Sequence, residues 1–164
     1  MGYHISKTNT IDLPHIHNLN QGALPAVSSI TLNDMTQFLE MADYFRVIKV
    51  KNNIAGFLIA LAPGKNYQSP THKWFEKQYS QFMYVDRIVI DPSFQHKGLG
   101  LAFYDNLKKF CQGQTPIITC EVNLKPKNYG SLLFHKKYGF KQVGTQETDG
   151  GEKEVSLLVC KIPL

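Results

Sequence analysis

The stretch Ile88-Val89-Ile90-Asp91-Pro92-Ser93-Phe94-Gln95-His96-Lys97-Gly98-Leu99-Gly100 decides the reading of this chain. An apolar strand stops at Asp91-Pro92, because proline has no N–H to give to a ladder. Two glycines then open an amphipathic helix with Leu99, Phe103, Leu107 and Phe110 at helical spacing. Glycine admits unusual φ and lets another group come close to the backbone. The first turn of a helix also exposes unpaired N–H donors and partial positive charge, which suits a phosphate or diphosphate. Lys97 and Gln95 add to that environment. The segment has neither a GK[ST] triplet nor G-x-G-x-x-G with a later acidic residue, so Walker-type and dinucleotide loops do not account for it. A plain turn between strand and helix is the alternative use of the same glycines.

The flanking sequence supplies the rest of the fold. Thr10–Asn20 is weakly helical and broken around Gly22 and Pro25, and Asn33 or Asp34 starts a helix carrying Met35, Phe38, Leu39 and Ala42. Phe45–Lys51 and Ile54–Leu61 read as a hairpin across Asn52-Asn53. Ser69-Pro70 is an N-cap with proline at the first helical position, opening a short helix with Trp74, Phe75 and Tyr79. Met83–Ile90 is the strand that feeds the glycine loop. Beyond it come a strand at Ile117–Val122 and a helix at Ser131–Tyr138, stopped by Gly139. Strands at Phe140–Gln146 and Val155–Lys161 join through Asp149-Gly150-Gly151. Strands alternating with helices in the second half predict an α/β sheet with at least one parallel crossover.

Composition narrows the class. The chain has 164 residues, 43% hydrophobic and 19% charged, enough to bury a core and unlike a disordered chain. One domain over 1–164 is expected. Eighteen Lys and Arg against thirteen Asp and Glu give a net charge of +5, scattered without a basic run, so nucleic acid is not an expected partner. Cys111, Cys120 and Cys160 form no CxxC pair, which speaks against a disulfide framework or zinc module and suits a reducing interior. His4, His15, His17 and His72 lack ligand spacing, so no metal is expected. Met1–Lys7 holds no apolar signal core. The longest apolar run, Ala55 to Pro63, is far short of the ~20 residues of a membrane helix. A cytoplasmic protein without a membrane partner is expected.

Gln95, Gly98 and Gly100, as Q-x-x-G-x-G after a strand ending in Asp-Pro, resemble motif A of the GNAT superfamily of acyl-CoA-dependent N-acyltransferases. Asn128-x-x-Ser131-x-x-Phe134-His135-x-x-x-Gly139-Phe140 resembles its motif B. The likeness is carried by about 60 residues. A bacterial subgroup of unassigned substrate is similar at Phe45-Arg46-Val47, Ala55-Gly56-Phe57, Tyr84-Val85-Asp86-Arg87-Ile88-Val89, Cys120-Glu121-Val122-Asn123 and Val155-Ser156-Leu157-Leu158. The resemblance implies a mixed, mostly antiparallel sheet of about seven strands flanked by helices, with a splayed strand pair forming an acyl-CoA cleft. Residues 83–140 would be the acyl-CoA core and the N-terminal half the acceptor side.

The implied site follows from the same match. Backbone at Ile88, Val89 and Ile90 would lie beside the pantetheine, and an N–H near Ile90 would polarise the thioester carbonyl. Amides of Gln95, His96, Lys97, Gly98, Leu99, Gly100 and Leu101 would cradle the diphosphate. Asn128, Ser131 and Phe134 would line the pantetheine side. The implied reaction moves acetyl from acetyl-CoA to a primary amine by direct attack in a ternary complex, with coenzyme A as product. A catalytically weak acyl-CoA-binding regulatory or interaction module is the alternative. The partner expected is a small-molecule or peptide amine, with the assembly open between monomer and homodimer.

Acid and base are less clearly written. Many family members place Tyr after the Phe of motif B to protonate the departing thiolate. Here that position is His135, a departure that allows either proton donation or plain packing. Tyr138 points elsewhere along the helix. Asp86 and Glu121 are carboxylates in otherwise apolar strands, and either suits a base or an ammonium anchor. A salt bridge of Asp86 with Arg87 or Arg46 is the structural alternative. Cys120 reads as packing. Lys125, Lys127, Lys136 and Lys137 read as solvated faces, some of them available to the 3′-phosphate of coenzyme A. Asn20, Tyr67, His72, Trp74, Phe75 and Tyr79 are the acceptor-side candidates, with core packing the alternative for the aromatic helix.

Overall fold

A computed structural model describes residues 2–163. Met1 and Leu164, the two ends of the expected 1–164 domain, lie outside the described residues. The strands are β1 (His4–Lys7), β2 (Tyr44–Val50), β3 (Asn53–Leu61), β4 (Met83–Ile90), β5 (Ile117–Lys125), β6 (Lys141–Thr148) and β7 (Lys153–Lys161). The helices are α1 (Leu13–Gly22), α2 (Leu32–Met41), α3 (Pro70–Gln78), α4 (Leu99–Cys111) and α5 (Tyr129–Tyr138). The seven strands form a mostly antiparallel sheet in the order β1-β2-β3-β4-β5-β7-β6. No helix among the described residues is long and apolar enough to cross a membrane.

The chain divides into two compact units, Met1–Leu61 with Arg87–Leu107 and Ala62–Asp86 with Lys108–Leu164. In the first, β1 pairs antiparallel with β2, from His4↔Lys49 to Lys7↔Arg46. Sequence reading misses β1, because His-Ile-Ser-Lys offers a single apolar residue to an alternation. The β2–β3 hairpin turns on Lys51 (φ +51°) and Asn52 (φ +66°). Asn52 serves as expected, whereas Asn53 already belongs to β3. The second helix begins earlier than Asn33. Thr31 caps it by accepting the Asp34 N–H at 3.0 Å, and Asp34 reaches back to the Thr31 N–H at 2.9 Å.

Two buried features fix this unit around β4. Arg87 is 5% exposed; its Nη1 donates to Asn20 Oδ1 at 2.8 Å and to the Ser28 carbonyl at 3.0 Å, and Nη2 donates to Ser28 Oγ at 3.1 Å. A buried guanidinium needs such acceptors, and wholly buried Asn20 is therefore part of the scaffold. Gly56 on β3 lies against the end of β4. A Cβ there would press into the Val89 carbonyl oxygen and sit 2.8 Å from Ile90 Cδ1. Only a residue without a side chain permits that approach.

In the second unit, β4 and β5 pair in parallel through Met83↔Ile118, Tyr84↔Thr119 and Val85↔Cys120. β7 joins β5 and β6 as their antiparallel neighbour. Ser69 accepts the His72 N–H at 3.2 Å and starts α3 at Pro70, as its sequence predicts. Phe75 is wholly buried, in ring contact with Tyr79, Phe82 and Tyr84. Trp74 covers Gly144 on β6, where an added Cβ would lie 3.0 Å from the indole Cζ2. The aromatic helix is thus partly core. Gly139 ends α5 with φ +121°.

Candidate active site

The first unit holds the glycine loop. Asp91 caps the short 3-10 turn Pro92–Phe94 by accepting Ser93 N–H and Ser93 Oγ, each at 2.8 Å. Its own N–H donates to the Ala55 carbonyl at 2.8 Å, fastening the strand end. Gln95 folds back so that Nε2 donates to the Ile90 carbonyl at 3.1 Å. His96 (φ +62°) and Gly98 (φ +79°) both take left-handed backbone, and α4 starts at Leu99. No atom lies within 4 Å of the space above Gly98 where a Cβ would be. The N–H groups of Leu99, Gly100 and Leu101 stand ahead of the Ala102 N–H, which donates to the Gly98 carbonyl at 3.0 Å, so the first turn of α4 offers donors with no acceptor inside the helix, the arrangement that holds an anion. Lys97 is exposed beside them, Val89 is buried, and Ile88 and Ile90 are half-buried.

The second unit gathers the carboxylates. Asp86 and Glu121 are the next residues along β4 and β5 after the Val85↔Cys120 pair, and both are half-buried. Asp86 Oδ1 accepts the hydroxyl of Tyr67, which belongs to the segment leading into α3. Glu121 Oε1 accepts the hydroxyl of Tyr84, and Oε2 accepts Thr71 Oγ1 at 3.1 Å. Gln146 Oε1 lies 3.4 Å from the same Thr71 oxygen. One hydroxyl hydrogen cannot serve both acceptors, so the Gln146 amide is better turned with Nε2 donating to Thr71. The phenol of Tyr84 is pushed well above its ordinary 10.0, by burial first and then by the charges of Glu121 and Asp86. Glu121 thus binds this phenol, while the charge of Asp86 adds to its upward shift.

The motif B residues sit on α5. Asn128 caps the helix, its Oδ1 accepting the Ser131 N–H at 3.1 Å. His135 is 3% exposed, with ring centroids 5.2 Å from Phe134 and 5.1 Å from Phe140. Its Nδ1 lies 2.7 Å from the Ser131 carbonyl oxygen. A carbonyl only accepts, so the proton is on Nδ1 and the neutral ring leaves a lone pair on Nε2. Burial pulls the His135 pKa below the ordinary 6.5, partly offset by the bond to Ser131. Cys111, Cys120 and Cys160 are all buried and none is in a disulfide. No group of three His, Cys, Asp or Glu among the described residues could hold a metal ion.

The model of the acetyltransferase (GNAT) family matches residues 13–140. The chain belongs to that family. Membership makes it an acyl-CoA-dependent acetyltransferase. No curated protein matches the sequence significantly. Solved structures agree in fold along the whole length. Ard1 from Thermoplasma volcanium is 17% identical with a TM-score of 0.80, each chain covered 100%. The ribosomal-protein-S18-alanine N-acetyltransferase from Escherichia coli is 16% identical with a TM-score of 0.74, covering 99% of this chain and 96% of its own. The structure of yncA from Salmonella typhimurium with its cofactor acetyl-CoA is 13% identical, with a TM-score of 0.74 and coverages of 100% and 96%. At these identities the structures speak for the GNAT fold.

Within the second unit, Asp86 and Glu121 meet around Tyr84, together with Tyr67 and His72 of the acceptor-side set. Asn20 and Arg87 belong to the other unit's scaffold. Sequence reading passes over Thr71 and Gln146. Thr71 looks like an ordinary first-turn residue and Gln146 like a solvent-facing edge residue, so no signal in the sequence marks them.

Proposed function

We propose that this acetyltransferase moves acetyl from acetyl-CoA to a primary amine by direct attack within a ternary complex, on a small-molecule or peptide acceptor. The observation that carries the reading is the first turn of α4, whose N–H donors have no acceptor inside the helix, preceded by two left-handed residues, His96 and Gly98. That loop fits the diphosphate of coenzyme A, and Gly98 leaves the approach clear. Gln95 and Lys97 border the cradle, and Leu99 anchors it in the core. Backbone at Ile88, Val89 and Ile90 is proposed to bind the pantetheine, as are Asn128, Ser131 and Phe134. The whole of 1–164 works as one GNAT domain, with 83–140 as its acyl-CoA core. Acetyl-CoA, when bound, supplies an acetyl group activated as a thioester.

The chain's own groups then divide the work on the acceptor. Glu121, held at both oxygens by Tyr84 and Thr71, is oriented to anchor an ammonium. Asp86, oriented by Tyr67, takes the proton that the amine must lose before it can attack, directly or through water. Neutral His135, with its proton on Nδ1, has no N–H on Nε2 to give, and burial opposes the imidazolium. We therefore assign it to packing, in place of the acid role that the motif position implies. That assignment is also what favours the second reading, an acyl-CoA-binding module with weak turnover.

The test pairs thermal unfolding with thiol release. Coenzyme A and acetyl-CoA raise the melting temperature, by about 2.7 kcal/mol of stability at a hundredfold excess over Kd. Gly98→Val abolishes that shift, because a β-branched side chain cannot hold φ +79° without strain. A retained shift in the variant removes the diphosphate assignment. Thiol release across an amine panel separates the enzyme from the module.

A further inference from the structure

His72 is wholly buried in the first turn of α3. Its Nε2 lies 3.1 Å from the carbonyl oxygen of Ala62, so the neutral ring carries its proton there. Nδ1 then holds a lone pair, is buried without a hydrogen-bond partner, and lies 3.6 Å from Glu76 Oε1 one turn along. The other oxygen of Glu76 accepts the Gly64 N–H at 2.7 Å. Helix α3 therefore grips the segment 62–69 at Ala62 and at Gly64. The same segment carries Tyr67, whose hydroxyl binds Asp86 and whose ring meets His72 edge-on at 5.8 Å.

A buried lone pair aimed near a carboxylate is a costly arrangement. The groups facing the ring are Glu76 from α3, Tyr67 from the segment, and Tyr84 of β4 at 5.4 Å with Glu121 behind it; Phe82 at 5.7 Å is apolar. We infer that His72 is a positioning residue: together with Glu76 it pins segment 62–69 to α3 and so sets Tyr67 against Asp86. The functional meaning rests on Asp86 as the base, whereas the coupling itself does not.

The test is NMR on the full chain, following exchange of the Gly64 amide and the ring carbon that bears the Tyr67 hydroxyl. Spectra are taken at one fixed pH on the wild type, Glu76→Ala and His72→Phe. Glu76→Ala speeds Gly64 exchange at least about fivefold and shifts Tyr67. His72→Phe keeps the ring contacts, loses the bond to the Ala62 carbonyl and shifts Tyr67 as well. Glu76 is 30% exposed, so its variant folds even where His72→Phe does not. A Tyr67 signal unmoved in Glu76→Ala or in a folded His72→Phe overturns the inference. No acceptor is needed, so a failure of Asp86 as base, read from turnover of Asp86→Asn, stays distinct from a failure of this coupling.

Discussion

Tyr84 donates its hydroxyl to Oε1 of Glu121, and with Thr71 on Oε2 the carboxylate of β5 is held at both ends. Removing the phenolic oxygen frees one of those ends without changing the ring's packing against Phe75 and His72. Tyr84→Phe is expected to lower turnover about tenfold, equivalent to ~1.4 kcal/mol of barrier. Acetyl-CoA affinity, measured by calorimetry, stays near the wild-type value. Equal losses in both would mean that the variant disturbs the fold and not the acceptor side.

The same pair sets an alkaline limit. Tyr84 titrates well above 10.0 in the folded chain, through burial and then the neighbouring carboxylates. Above about pH 10 the unfolded chain has lost this proton and the folded chain has kept it, so stability falls as pH rises. Denaturant midpoints between about pH 9 and 11 are expected to drop more steeply for the wild type than for Tyr84→Phe. Parallel slopes would show that Tyr84 is not the group responsible.

His135 gives the opposite slope. Its folded pKa lies below the ordinary 6.5 because burial penalises the cation. Below about pH 6.5 the unfolded chain binds a proton that the folded chain does not, so stability falls on acidification until the folded ring titrates as well. His135→Phe is expected to flatten that part of the pH–stability curve and to leave turnover within about twofold. A large fall in turnover at unchanged acetyl-CoA affinity would restore the histidine as proton donor.

Gly56→Ala tests how β3 sets the end of β4. The new methyl meets the Val89 carbonyl and Ile90 Cδ1, and backbone cannot yield as a flexible side chain can. A loss of about 1–3 kcal/mol is expected in denaturant unfolding. Acetyl-CoA affinity falls with it if Val89 and Ile90 line the pantetheine. Full stability would mean that the strands part at no cost.

The elements that sequence reading finds well are those with strong local chemistry. Ser69-Pro70 and Gly139 punctuate α3 and α5 where expected, and Met83–Ile90 is bounded by Pro92. β1 escapes it, because its strand state comes from pairing with β2 and not from its own pattern. The site divides in the same manner. The glycine loop is legible because backbone donors at a helix start follow from residue type and spacing. Asp86 and Glu121 stand out as carboxylates in apolar strands. The partners of Glu121 do not, since Thr71 reaches it from α3 and Tyr84 from β4, and no single stretch of sequence records that convergence.

Gly144 opens a place on β6 for the indole of Trp74, and the sequence has one tryptophan. Light absorbed at the red edge of the protein spectrum is therefore emitted from a single location, where α3 rests on β6. Acceptors that disturb that seat will change the colour or intensity of the emission. Screening for the proposed amine acceptor can rest on an unlabelled cuvette titration, independent of turnover.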